Sequence, residues 1–119
     1  MDYAISEEDD ERLEQILESE RNQAHKILMD SGFVERVVFS SCMIPLQIDA
    51  FLKTGEMCYG RNSRVGGDVT MWVFEKACDL AQVWPPTLFE GKRQADAKDY
   101  CILAQEMLVL IKEYLEQKR

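Results

Sequence analysis

The chain has 119 residues, 46% apolar and 30% charged, with a formal net charge of −8. That size supports one domain with its own core, and the composition is that of a folded soluble chain. An isoelectric point near 4.6 excludes a general nucleic-acid binder, which needs clustered Lys and Arg; no run approaches the roughly 18 apolar residues of a membrane span.

The surplus charge is confined to the first twenty residues, where nine acidic side chains stand against Arg12 alone. Positions 21 to 119 are balanced, with 13 basic and 13 acidic residues. The N-terminus is acidic where a secretory signal would be basic and then apolar, so a cytoplasmic location is expected. Cys42, Cys58, Cys78 and Cys101 form no close pair, which reads as free thiols in a reducing compartment and not as a zinc site.

Ser6 followed by Glu7, Glu8 and Asp9 is a capping start, with carboxylates favoured by the helix dipole. Leu13, Ile16, Leu17, Ala24, Ile27 and Leu28 then mark an apolar stripe that ends at Ser31-Gly32, predicting a helix over 7–30. Its first turn lacks apolar residues and is expected to project beyond the body. Over 33–54 the spacing of Val34, Val37, Val38 and Cys42 favours two short helices, the second entered at Pro45 and running to Lys53. Val37-Val38-Phe39 would also serve as a strand core, and a strand is the weaker alternative there.

Gly55, Gly60, Gly66 and Gly67 mark 55–67 as a loop. Asp68 then caps a predicted helix over 68–84, mostly apolar and closed by Pro85-Pro86. A last helix is predicted over 93–117, so apolar between Tyr100 and Ile111 that it is either central or paired with a second copy of the chain. The expected fold is all-α: residues 1–119 as a single helical domain, a compact bundle of four to five helices.

Three constellations carry possible chemistry. Glu7, Glu8, Asp10, Glu11, Glu14 and Glu18 would present a carboxylate ridge to Lys or Arg of a partner, a pattern that steers association and selects partners. Arg61, Arg64, Gly66 and Gly67 would lie at a helix start, where free amides and guanidiniums hold an anion. The P-loop spacing from Gly55 to Gly60 fails, because Arg61-Asn62 stands where Lys-Ser/Thr is needed. Glu75 and Asp79 on one predicted helix, with Asp96 and Asp99 on the next, could converge as oxygen ligands for Mg²⁺.

Glu7-Glu8-x-x-Glu11 has the letters of the Glu-Glu-x-x-Glu motif in all-α nucleotide pyrophosphohydrolases of the MazG type, and resembles them over those five residues. Those enzymes pair it with Glu-x-x-Asp on a following helix; here the only Glu-x-x-Asp is Glu7 to Asp10, inside the same segment, so that partner is missing. His25, alone of its kind, shares a helix face with Glu18 and Arg21 and reads as a surface histidine. Trp72 and Trp84 read as packing residues before contact residues.

The expected function is therefore that of a non-enzymatic acidic interaction protein without a cofactor. It would bind and block a protein with a basic surface, as immunity proteins and phage inhibitors of nucleases do, touching neither nucleic acid nor membrane directly. A homodimer through the C-terminal helix is a secondary expectation. The alternatives are an Mg²⁺-dependent nucleotide pyrophosphohydrolase and a binder of small anionic ligands.

Overall fold

A computed structural model describes residues 7–39, 46–63 and 67–118, with side chains described from Glu11 onward. Among them two helices and five strands follow in the order α1 (Glu7–Met29), β1 (Val34–Phe39), β2 (Gln47–Leu52), β3 (Met57–Asn62), β4 (Val69–Phe74), β5 (Phe89–Arg93) and α2 (Tyr100–Gln117). The strands form one antiparallel meander in sequential order. The fold is α+β, and the expectation of an all-α bundle is wrong.

The long N-terminal helix is present as expected, ending one residue early, with Gly32 at φ +84° just beyond it. The two short helices expected over 33–54 are instead β1 and β2. Val37 pairs with Ala50 and Phe39 with Ile48, so the β-branched and aromatic residues of that stretch sit where a pleated surface accepts them best. In β2, Ile48, Ala50 and Leu52 are buried while Gln47, Asp49 and Phe51 face the other way. Pro45 lies outside the described residues.

The predicted loop over 55–67 contains β3. Its misleading residue is Gly60, which stands mid-strand between Ile48 and Met71. A Cβ there would come within 2.6 Å of Met107 Cγ on α2, and one at Gly91 within 2.6 Å of Leu110 Cδ2. Gly60, Met71 and Gly91 form one cross-strand row. The two glycines mark where the helix backbone approaches the sheet, not where the chain turns.

The helix predicted over 68–84 is β4 followed by an irregular segment, 75–88. Val69, Met71 and Val73 face the core, while Thr70, Trp72 and Phe74 lie on the outer face. Both faces are apolar because Trp84 folds back over the outer one, packing on Trp72 and Phe74 with ring centroids 5.4 and 5.3 Å apart. A strand covered on both sides has no polar alternation, so it reads like a buried helix. The helix predicted over 93–117 begins only at Tyr100. Residues 89–93 are β5, and Asp99 caps α2 by accepting from the Ile102 N–H at 2.9 Å.

α2 lies across β2 to β5, and α1 packs on α2 and reaches β1. Tyr100, Leu103, Ala104, Met107, Leu110, Ile111 and Tyr114 of α2 are buried. Most of the apolar surface of α2 is covered by the sheet on one side and α1 on the other, with Val109 left 37% exposed. No helix among the described residues is long and apolar enough to cross a membrane.

The molecule measures 58 × 27 × 27 Å. Its length comes from α1, whose 23 residues span about 34 Å at 1.5 Å per residue. The C-terminal half of α1 is anchored by Ala24 and Leu28, both fully buried. Residues 11–16 are all exposed. The N-terminal half of α1 therefore stands away from the sheet.

Candidate functional site

On that projecting half the apolar stripe continues on an exposed face. Leu13 is 45% and Ile16 56% exposed, although both extend the line that buries Ala24 and Leu28 further along. Beside the stripe, Glu7, Glu11, Glu14 and Glu18 fall at i, i+4, i+7 and i+11, which places them along one ridge of the helix. Glu11, Glu14 and Glu18 are exposed, and among the described residues no cation pairs with them. Glu8 and Asp10 lie in the first turn of α1, where the helix dipole favours negative charge.

Like charges one turn apart cost an isolated helix about 0.2–0.5 kcal/mol per pair. The chain thus carries a repulsive ridge and two uncovered aliphatic side chains on a segment that its own core does not use. Cations could relieve the first feature and an apolar surface the second.

The other predicted residues are dispersed. Arg61, at the end of β3, lays its guanidinium over the Trp72 ring, 5.1 Å from the centroid. Gly67, at φ +67°, accepts the Ala97 N–H and leads into β4. The helix start required for anion binding is absent there, because a strand stands in its place. Arg64 and Gly66 fall outside the described residues.

Of the four carboxylates considered for Mg²⁺, Glu75 directly follows β4 and Asp79 lies in the irregular segment. Asp96 pairs with Lys98 at 3.2 Å, and Asp99 caps α2. The two facing helices that were to bring them together do not exist. Among the described residues no three His, Cys, Asp or Glu side chains are grouped as a metal site. His25 is exposed on α1.

Comparison of the chain with protein families, with curated proteins and with solved structures finds no match. Function therefore rests on the geometry of this chain.

One feature escaped the sequence reading. Where segment 75–88 folds over the outer face of the sheet it encloses a cleft of about 380 Å³, lined by Gln47, Asp49, Tyr59, Cys78, Asp79, Leu80, Ala81 and Trp84. Burial raises the Asp49 carboxyl above its ordinary range, with the Arg36 charge opposing it. Burial likewise raises the Tyr59 phenol, with the Arg61 charge and hydrogen bond opposing it and Asp49 adding a little, and raises the Cys78 thiol, with Asp49 and Asp79 adding to it. The available signal was the alternation Gln47-Asp49-Phe51 against Ile48-Ala50-Leu52, which a helical reading of that stretch discards.

Proposed function

We propose that this chain is a non-enzymatic interaction protein that docks the projecting half of α1 onto a protein with a basic surface. The observation that carries the reading is the exposure of Leu13 and Ile16 beside the Glu11, Glu14 and Glu18 ridge, on a helix whose other half is anchored in the core. An amphipathic helix offered in this way suits a groove with an apolar floor and a cationic rim.

The two features contribute differently. Full burial of an aliphatic side chain is worth about 1.5–3 kcal/mol, so Leu13 and Ile16 supply affinity. The carboxylates speed encounter and choose the partner. Their effect is screened over about 8 Å at physiological salt. Where the partner's arginines and lysines hold phosphates, the ridge would take the phosphates' place and block the site by occlusion.

The test is capture from extract of the native host at low and high salt. Wild-type chain is compared with Leu13→Ser/Ile16→Ser and with Glu11→Lys/Glu14→Lys/Glu18→Lys. The expected result is a basic protein that wild type retains, that salt releases, and that both variants lose. Retention of the same protein by both variants would refute the proposed face. The substituted side chains are exposed, so melting temperatures are expected to stay within about 2 °C of wild type.

A further inference from the structure

The cleft on the outer face of the sheet is separate from α1, and its chemistry is different. Its lining holds two carboxylates, a phenol, a thiol, an amide and the Trp84 indole, with no lysine or arginine. Tyr59 and Trp84 stand perpendicular, their centroids 6.0 Å apart at 89°. The two rings meet edge to face beside the cleft, and Tyr59 is also stacked on Trp72, with centroids 5.7 Å apart. Among the described residues nothing donates a hydrogen bond to the Asp49 side chain, although that residue is half-buried. Asp79 accepts one, from the Ala81 N–H through Oδ1.

Two arginines flank the cleft, and Arg61 hydrogen-bonds the Tyr59 hydroxyl at its edge. Arg36 lies 4.0 Å from the Phe51 ring centroid and Arg61 lies over Trp72. Each is stacked on an aromatic ring of its own, and neither forms an ion pair with Asp49. Among the described residues the cleft therefore keeps a carboxylate without a hydrogen-bond donor beside aromatic rings, the pairing that recognises organic cations through charge and cation–π attraction together.

We infer that this cleft binds an organic cation, an alkylammonium or guanidinium group, between the Asp49 and Asp79 carboxylates and the Tyr59–Trp84 pair. A bound cation would return to Asp49 the stabilisation it loses by leaving water. Arg36 and Arg61 at the margins would discourage a second cation and limit the site to one. The same group could arrive as a free amine or as a lysine or arginine side chain of a peptide.

Both tryptophans of the chain, Trp72 and Trp84, belong to the ring cluster at this cleft, so unlabelled protein reports occupancy by its own emission. Full-length chain is titrated with n-butylammonium and n-butylguanidinium chloride at fixed ionic strength, with sodium butyrate as control. A saturable change with either cation and none with butyrate is expected. Asp49→Asn should weaken binding at least tenfold with the melting temperature within about 2 °C of wild type, since no described residue hydrogen-bonds that side chain. Asp79→Asn gives a second reading should the first variant misfold.

Choline and Nα-acetyl-lysine methylamide separate the two sources. Tighter binding of choline names a free amine, and tighter binding of the lysine derivative names a peptide side chain. A linear response, an equal response to butyrate, or unchanged binding in both variants overturns the inference. Capture through α1 is untouched by these substitutions, so this inference and the docking proposal fail independently.

Discussion

Among the described residues Glu56 is the charged residue buried most deeply, at 4% exposure. It survives there because three donors converge on it: the Thr54 hydroxyl, the Tyr114 hydroxyl at 2.6 Å and the Lys118 ammonium at 2.9 Å. Burial alone would raise its carboxyl; the hydrogen bonds prevail and hold it at about 2, against 4.5 ordinarily. A carboxyl depressed in the folded state stabilises above its unfolded value and loses that contribution as pH falls toward the folded one. The window is therefore pH 4.5 to 2, and the contribution is about 3 kcal/mol. Glu56→Ala should cost about 3 kcal/mol in chemical denaturation at pH 7, because Tyr114 then keeps a buried hydroxyl without its acceptor. The stability difference between wild type and Glu56→Ala should shrink between pH 4.5 and 2; a constant difference would show that Glu56 acts through shape alone. Nearby, burial and then the Glu56 charge push the Cys58 thiol up to about 12. Iodoacetamide at pH 8 is accordingly expected to leave Cys58 unmodified in the native protein and to label it in denaturant, by peptide mass mapping.

At the scale of elements, α2 is held at both ends: Asp99 caps its start, and Tyr114 and Lys118 tie its last turn to the β2–β3 hairpin through Glu56. Asp99→Ala should destabilise by about 1 kcal/mol, the usual cost of losing a cap of this type, read as a shift in denaturation midpoint at constant slope. α1 differs between its halves. Its anchored half meets α2, and its outer half carries exposed side chains and a self-repelling ridge on a backbone held by its own helical hydrogen bonds. Amide exchange should be fast over residues 11–16 and slow around Ala24 to Leu28; uniform protection along α1 would contradict the projecting arrangement. This helix was legible in the sequence because its stripe is interrupted by charge at helical spacing. The sheet was not. Its outer face carries Phe51, Tyr59, Trp72 and Phe74, so period-two alternation fades at the end of β2 and is lost in β3 and β4, and Gly60 and Gly91 resemble loop residues when they are contact points for α2. Ala substitution at Gly60 should lower stability by about 1–3 kcal/mol through overpacking on Met107.

For the whole molecule, the placement of charge was readable and the placement of the cleft was not. The acidic ridge is a local property, fixed once α1 is helical. The Asp49–Tyr59–Asp79–Trp84 arrangement needs three strands in register and a returning segment, which no local pattern encodes. The result is an elongated body with two separate features: a helix offering aliphatic and acidic side chains, and a cleft on the far face of the sheet. The account depends most on the helix. Its most direct test is the affinity of the captured partner, by calorimetry, for wild type, for Leu13→Ser/Ile16→Ser and for Asp49→Asn. The account predicts at least a hundredfold loss for the α1 variant and affinity within twofold of wild type for the cleft variant. Full affinity in the α1 variant would contradict it.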